Sequence, residues 1–187
     1  MLLGQSPAIQ HLRQTIQKIA RSQAPVFIHG ESGTGKEVVA NLVHSLSNRS
    51  HGPFIAINCG AIPSELMESE LFGHKKGSFT GANQDKQGLI QAAHGGSLFL
   101  DELAELPLTM QVKLLRAVQE KRIRPIGSDS EIEVDFRIIS ATHQNLEQLV
   151  QQGKFRQDLF FRIHVMDIQL PPLRERGDDI LLLARHF

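Results

Sequence analysis

Near the start of the chain, a glycine-rich stretch has residue types and spacing suited to holding phosphate. Residues 30–37 read Gly-Glu-Ser-Gly-Thr-Gly-Lys-Glu, after an apolar run and before a helical pattern of apolar residues. In a strand-loop-helix setting, backbone N–H groups and the helix N-terminus favour phosphate oxygens, and Lys36 would reach the terminal phosphates. Glu37 stands where the usual loop has Ser or Thr, so it either binds magnesium through water or favours the first helical turn. We predict nucleotide binding; a glycine-rich turn without a ligand is the alternative.

A second candidate group is an acidic pair that directly follows the apolar run at residues 97–100. Asp101 would order the magnesium shell, and Glu102 is placed to polarise the attacking water as a general base. The alternative is a helix cap, since both residue types favour helix starts. Because the pair occurs together with the phosphate-binding loop, the sequence predicts hydrolysis of a nucleotide.

Polar residues also end two further strand patterns. Asn58 follows the apolar run 54–57, at the position where loops of open α/β sheets meet their ligand. Thr142 ends the pattern 136–142. Asn58 either serves the site or caps the following turn. Thr142 either senses the terminal phosphate or caps the helix expected next.

These residues require a sheet that brings them to one edge. The strand patterns are continuously apolar, and the runs at 26–28 and 54–57 are expected to be buried strands of a sheet covered by helices on both faces. The helix expected after Pro107 has Gln and Lys residues interpreted as facing outward, and a hairpin or turn is expected at 122–133. Residues 73–82 lack periodicity and are interpreted as an insertion in an α/β fold.

Length and composition restrict the alternatives. The 187 residues are enough for one domain with a substantial core and part of another. Twenty basic and twenty acidic residues cancel, so net charge favours neither nucleic acid nor an anionic membrane as a partner. Cys59 is the single cysteine, which excludes an intrachain disulfide and a multi-cysteine metal site. With no membrane-spanning run and no secretion signal, we expect a cytoplasmic protein without a membrane partner.

Over nearly the whole chain, these features resemble the AAA+ ATPase domain of bacterial sigma-54-dependent transcription activators, the bacterial enhancer-binding proteins. The most specific piece is Gly-Ser-Phe-Thr-Gly-Ala at 77–82, which is similar to the family's GAFTGA loop with Ser for the first Ala. Glu-Leu-Phe-Gly-His at 70–74 and Glu37 also fit the family. Pro-Pro-Leu-Arg-Glu-Arg at 171–176 is similar to the link that leads to the family's helical lid.

The resemblance implies a three-layer P-loop NTPase fold that binds ATP with Mg²⁺ between subunits of a hexameric ring. Asp101 and Glu37 would hold magnesium, and Asn58 would restrain the catalytic Glu102. Arg156 and Arg162, which flank an apolar cluster, would reach the nucleotide of the neighbouring subunit; surface salt bridges are their alternative role. The residues expected to contact nucleotide are Gly30, Glu31, Ser32, Gly33, Thr34, Gly35, Lys36, Glu37, Val38 and Thr142. The residues expected to contact sigma-54 are Gly77, Ser78, Phe79, Thr80, Gly81 and Ala82.

The same resemblance implies a division of the chain. Residues 1–170 would form the large α/β ATPase subdomain, and 171–187 the linker and the start of a truncated helical lid. Sensory and DNA-binding domains are expected outside the chain, so DNA would be contacted only through a domain not present here. We expect assembly and turnover by this fragment alone to be weak.

The competing hypotheses are another AAA+ remodelling ATPase and a nucleotide-gated binding module without turnover. A kinase or GTPase is disfavoured by the lack of an acceptor pocket signal and of an Asn-Lys-x-Asp motif.

Overall fold

A computed structural model describes residues 2–186 as alternating helices and strands. The helices are α1 (Pro7–Ala20), α2 (Lys36–Ser45), α3 (Ser64–Phe72), α4 (Leu89–Ala92), α5 (Leu108–Glu120), α6 (Leu146–Gln151), α7 (Gln157–Ile163) and α8 (Asp179–His186). The strands are β1 (Val26–His29), β2 (Phe54–Asn58), β3 (Gly73–His74), β4 (Lys86–Gln87), β5 (Ser97–Asp101), β6 (Arg122–Ile123), β7 (Ile132–Glu133), β8 (Arg137–Thr142) and β9 (Met166–Gln169). Short 3-10 turns lie at Leu103–Glu105 and Leu173–Glu175.

Five strands form one sheet, in the order β2-β5-β8-β1-β9, and every neighbouring pair is parallel. Parallel strands need crossover connections, and the helices between consecutive strands of this sheet provide them. Because all five strands run the same way, their carboxyl ends lie at one edge, where His29 pairs with Thr142 and Asn58 with Asp101. The predicted α/β fold, with a parallel sheet flanked by helices, is confirmed.

Alternate side chains of the central strands enter two apolar layers, one on each face of the sheet. On β8, Ile138 packs in the layer that includes Leu114 of α5, whereas Ile139 packs in the layer that includes Ile9 of α1. A strand buried on both faces has apolar residues at most positions, which explains the nearly continuous apolar runs in the sequence. The burial predicted for β2 is wrong in part, because β2 is an edge strand and its Ala56 is exposed.

Arg137 is a charged side chain within this interior, and only 2% of its surface is exposed. Its guanidinium donates to the backbone oxygens of Ile19 and Ala20, both at 2.9 Å, and of Ala24 at 3.1 Å. The last carbonyls of a helix have no partner within the helix, so Arg137 satisfies those at the end of α1. Burial lowers the pKa of Arg137 to about 10. The side chain thereby joins the start of β8 to the turn that leads into β1.

The largest difference from the predicted secondary structure is α7. Residues 155–162 were interpreted as an apolar cluster between two arginines, without a helix. In the structure, Leu159, Phe160 and Ile163 are buried along one side of a seven-residue helix. The short length of this pattern explains why periodicity did not reveal it.

No helix among residues 2–186 is long and apolar enough to cross a membrane. The helix α8 begins at Asp179, within the segment 171–187 that is expected to form the linker and the start of the lid. The division of the chain at residue 170, and the assignment of residues 171–187 to a linker and lid, stay predictions. The first and last positions of that division, 1 and 187, lie outside the described residues.

Candidate functional site

The predicted phosphate-binding loop connects β1 to α2 and closes around a lysine. Gly35, at the N-cap of α2, has φ 96°. Lys36 is the first residue of α2 and is 6% exposed. Its ammonium donates to the backbone oxygens of Gly30 and Glu31, both at 3.2 Å. The positive charge is therefore held at the inner side of the loop, where the sequence predicts phosphate.

A cavity of about 810 Å³ lies beside this loop. Residues 31–35 and Val38 bound it on one side, and Leu2, Leu173 and Ile180 are among the residues opposite. Small-molecule sites usually measure about 300–1,000 Å³, with apolar walls and a few polar groups. A cavity of this kind can accommodate the base and sugar of a nucleotide whose phosphates lie in the loop.

Two arginines from the segment after β9 hold the outer side of the same loop. Arg174 donates to both carboxylate oxygens of Glu31, at 2.6 and 2.9 Å. Arg176 donates to the backbone oxygen of Thr34 at 2.7 Å. The segment that resembles the link to a lid is thus in contact with the phosphate-binding loop.

The acidic pair lies at the same edge of the sheet as this loop. Glu102 has φ 50° and ψ 48°, a left-handed conformation that is uncommon and strained for a residue other than glycine. Its Oε1 is 3.6 Å from Nζ of Lys36. Asp101 accepts a hydrogen bond from the backbone N–H of Glu102 at 3.0 Å. The structure therefore brings together the lysine and the glutamate that the sequence placed in one site.

His143 is a site residue that the sequence analysis missed. Its Nδ1 is 2.8 Å from Oε2 of Glu102. Next to it, the side chain of Gln144 donates to Glu105 at 2.7 Å, so two contacts join the segments that come after β8 and β5. The position of His143, directly after the polar residue that ends a strand, was a signal that could have identified it.

Asn58 and Thr142 also lie at this edge, but their side chains make local contacts. Asn58 accepts from the N–H of Gly60 at 3.0 Å, which confirms the turn-capping alternative. No hydrogen bond joins Asn58 to Glu102 in the described chain, residues 2–186, and its restraining role stays a prediction. The fully buried Thr142 accepts from the N–H of Gln144 at 3.0 Å.

The alternative role of Thr142 as a helix cap is wrong. The N-cap of α6 is Asn145, whose side chain accepts from the N–H of Gln148 at 3.1 Å. The helix begins four residues after the buried hydroxyl, and Thr142 instead caps the turn between them. Its role in sensing phosphate stays a prediction.

Arg156 and Arg162 lie at opposite ends of α7 and differ in their contacts. The Arg156 guanidinium donates to both carboxylate oxygens of Asp158, at 3.0 and 2.6 Å, so the salt-bridge alternative is confirmed for this residue. Arg162 is exposed, and its side chain has no hydrogen bond or ion pair with any residue between 2 and 186. Neither arginine is bonded to Lys36 or Glu102 of its own chain.

The residues predicted to hold magnesium fit an ion that is bound together with a nucleotide. Asp101 is partly buried at the sheet edge, and Glu37 is exposed in the first turn of α2. Mg²⁺ usually takes one or two carboxylates, several waters and substrate phosphates rather than an all-protein cage.

Phe79 occupies the tip of the loop between β3 and β4. The N–H of Gly77 donates to the oxygen of Ala82 at 2.8 Å, which closes the loop. The Phe79 side chain is 41% exposed, and its ring meets the edge of the His74 ring with centroids 5.0 Å apart. His74 therefore supports one side of the Phe79 ring, and the rest of the ring is exposed.

The base of this loop packs on the hairpin formed by β6 and β7, a contact that the sequence analysis missed. The N–H of Lys75 donates to the oxygen of Ile126 at 2.9 Å. A Cβ at Gly127 would lie 2.5 Å from the Cβ of Ser78, so a glycine is needed for this close approach. The hairpin itself was predicted, but its neighbour is about fifty residues away in sequence and no local pattern indicates it.

Comparison with known proteins identifies the family to which these features belong. Residues 2–169 match the family described as the Sigma-54 interaction domain. The chain belongs to this family. It is 63% identical over 186 residues to the response regulator protein PilR of Pseudomonas aeruginosa, covering all of this chain and 42% of PilR. It is 54% identical over 186 residues to the DNA-binding transcriptional regulator NtrC of Escherichia coli K12, covering all of this chain and 40% of NtrC.

Solved structures agree with this assignment. The crystal structure of NtrX from Brucella abortus in complex with ATP superposes with a TM-score of 0.91 at 42% identity, covering 99% of this chain and 42% of NtrX. The P-loop NTPase domain of an E. coli sigma-54 activator superposes with a TM-score of 0.61 at 19% identity, covering 91% of this chain and 99% of that one, which supports the fold alone. The chain thus has a P-loop NTPase fold and spans about two fifths of the length of its curated relatives.

Proposed function

We propose that this domain binds ATP with Mg²⁺ and hydrolyses it. The observation that carries the proposal is the 3.6 Å separation between Nζ of Lys36 and Oε1 of Glu102, at the carboxyl edge of a parallel sheet. A phosphate-binding cation and a carboxylate able to accept a proton from water are the two groups that nucleotide hydrolysis requires in one place. The related NtrX has been solved with ATP and with ADP, which supports this choice of ligand.

In this proposal, the phosphates lie in the loop at 30–35 and Lys36 exchanges its contacts with loop carbonyls for contacts with phosphate oxygens. Glu102 accepts a proton from the attacking water. Asp101 and Glu37 hold Mg²⁺, which supplies positive charge to balance the phosphates. Thr142, buried beside the loop, responds to the terminal phosphate.

We further propose that the active form is a ring in which Arg156 and Arg162 act on the nucleotide of the neighbouring subunit. Arg162 supports this role because it is exposed and unpaired within residues 2–186. Beside it, Phe161 is 67% exposed, which suits a surface that another subunit covers. Arg156 must leave Asp158 to take part.

The partner that the ATPase acts on is proposed to be sigma-54, bound through residues 77–82. The exposed Phe79 ring, on a loop without a long strand or helix of its own, supports a partner contact. Hydrolysis would remodel the closed promoter complex of the polymerase towards an open one, in the cytoplasm. DNA would be bound by another part of the complete protein.

Two assays on one preparation of the complete protein test this proposal. We expect Phe79→Ala to abolish opening of promoters with sigma-54 polymerase, while phosphate release persists, because the ring is far from Lys36 in the chain and makes no bond to it. Thr80→Ala should act similarly. Leu46→Ala, which truncates an exposed apolar side chain at the other end of α2, is the control and should change neither assay. Normal promoter opening by the Phe79 variant would refute the partner-binding role of the loop.

A further inference from the structure

Gln111 is a buried amide on α5, although the sequence analysis interpreted the Gln residues of this helix as outward-facing. Its side chain is 0% exposed. Its Nε2 donates to the backbone oxygens of Leu106 at 2.8 Å and Lys154 at 3.2 Å. Its Oε1 accepts from the backbone N–H of Arg156 at 2.8 Å. Three strong hydrogen-bonding contacts on one buried side chain are costly to disturb.

The three contacts join two functional segments that are distant in sequence. Leu106 ends the short turn that directly follows Glu102. Arg156 is the N-cap of α7, the helix that carries Arg162. The Gln111 side chain therefore fixes the backbone at Leu106, shortly after Glu102, and the backbone at Arg156.

The apolar side of α7 packs in the core, but few polar contacts fix the start of the helix. The helix has seven residues, and its N-cap residue Arg156 makes no side-chain capping bond. A helix this short is not stable by itself and depends on contacts with the rest of the protein. Before it, the N–H groups of Lys154 and Phe155 both donate to the oxygen of Leu149, at 2.9 and 3.1 Å. The N–H of Arg156 is held by Gln111 instead.

We propose that Gln111 is a positioning residue for Arg156 and Arg162. It fixes the start of α7 so that both guanidinium groups reach the nucleotide of the neighbouring subunit. The inference rests on the proposed action of these arginines between subunits. It adds that the defect of a Gln111 variant lies in what a subunit supplies to its neighbour, although Gln111 also contacts the segment next to Glu102 of its own site.

The experiment mixes variant subunits of the complete protein and measures ATP hydrolysis. Gln111→Met keeps the length of the side chain and removes its hydrogen bonds. Gln119→Met, at an exposed position of the same helix, is the matched control. Alone, Gln111→Met should lower kcat about tenfold to a hundredfold, as small misplacements of catalytic groups do, with ATP affinity within about twofold of the parent. Thermal unfolding confirms that the variant is folded.

Mixing then shows whether the Gln111 variant is defective in its own nucleotide site or in the arginines that it supplies to the neighbouring subunit. Lys36→Ala subunits have a dead site of their own but intact arginines, and Arg162→Ala subunits have the opposite defect. We expect Gln111→Met to regain hydrolysis when mixed with Lys36→Ala, and to show no gain in hydrolysis when mixed with Arg162→Ala. Recovery with Arg162→Ala but not with Lys36→Ala would place Gln111 in its own site and overturn the inference. Recovery in neither mixture would overturn it as well.

The mixture of Lys36→Ala with Arg162→Ala separates this inference from the proposal on which it rests. Absence of recovery there, with mixed oligomers shown to form, would refute the action of the arginines between subunits. Recovery there combined with the wrong pattern for Gln111→Met refutes only the role of Gln111. If the methionine variant does not fold, Gln111→Asn replaces it in the same mixtures, because it keeps an amide in the buried site and shortens the reach to the N–H of Arg156 by one methylene group.

Discussion

The two glycine-rich loops of this domain, at 30–35 and 77–82, can be compared directly. Gly33 has φ 78° and Gly77 has φ 79°, and a Cβ at either position would meet no atom within 4 Å. Both loops therefore use glycine for the same left-handed conformation in open space. The conformation of these glycines therefore does not explain why one loop would bind phosphate and the other a protein.

The difference lies in what surrounds each loop. The first leads into a ten-residue helix whose Lys36 is 6% exposed, and Arg174 and Arg176 hold it from outside. The second leads into a two-residue strand and presents Phe79. Its neighbouring Lys75 has a side chain that is 51% exposed and pairs with Asp85 at 2.9 Å. A buried lysine and two arginines around the first loop indicate an anion site, and an exposed ring on the second indicates a protein contact.

The largest expected effect is the loss of ATP hydrolysis when the proposed catalytic base beside the first loop is replaced. Glu102→Gln should lower ATP hydrolysis about 10²–10⁴-fold, because an amide cannot accept the proton of the attacking water. ATP binding should persist, since Lys36 and the loop are unchanged, and promoter opening should be lost with hydrolysis. Nucleotide titration and phosphate release measure these outcomes. Glu102→Gln should therefore lose both phosphate release and promoter opening, whereas Phe79→Ala should lose only promoter opening. Unchanged turnover would remove Glu102 from the role of base.

A matched pair of glycine substitutions sharpens the comparison. Gly33→Ala and Gly77→Ala force alanine into nearly the same φ, so each should lower the free energy of unfolding by about 1–2 kcal/mol. ATP affinity should fall about tenfold, or roughly 1.4 kcal/mol, only in Gly33→Ala, because the new methyl group obstructs the approach of phosphate to the backbone. Promoter opening should fall in Gly77→Ala at saturating ATP. Chemical unfolding controls for the shared strain. Equal losses of ATP affinity in both variants would contradict the distinction.

The sheet and most of the nucleotide edge were predictable because local patterns encode them. Continuous apolar runs ending in polar residues identified β1, β5 and β8, and parallel strands necessarily bring their carboxyl ends together. This placed Lys36, Asp101 and Glu102 near one another from sequence alone. The helices α2 and α5 were predictable in the same way, because the first follows the phosphate-binding loop as a helical pattern and the second begins after Pro107.

Contacts made by polar side chains across long sequence separations were not predictable. Gln111 reaches Arg156 and His143 reaches Glu102 across about forty residues, and a polar residue carries no periodic signal of what it contacts. The packing of Ser78 on Gly127 depends in the same way on the position of a separate hairpin. These contacts result from the assembled fold rather than from any single segment.

The smallest effect on ATP affinity is expected from breaking the contact between Arg174 and Glu31 on the outer side of the phosphate-binding loop. The hydrogen bonds of Arg174 hold the pKa of Glu31 below its ordinary value of 4.5. The stabilisation from this pair is therefore fully present above pH 4.5 and is lost as the pH falls through the lower pKa of the folded state. At neutral pH the stabilisation from this pair does not change with pH. It is small, because the side chains of Glu31 and Arg174 are 57% and 66% exposed and exposed ion pairs contribute little to stability.

We therefore expect Glu31→Ala and Arg174→Ala each to change ATP affinity less than about threefold at neutral pH. The double variant should match the single ones, because either change removes the whole pair. High salt should weaken the parent slightly and the variants hardly at all, since only the parent has this exposed pair to screen. Nucleotide titration at two salt concentrations measures this. A loss of ATP affinity above tenfold in Arg174→Ala alone would mean that Arg174 itself binds nucleotide. Cations outside the loop at 30–35 would then contribute to the difference between this loop and the loop at 77–82.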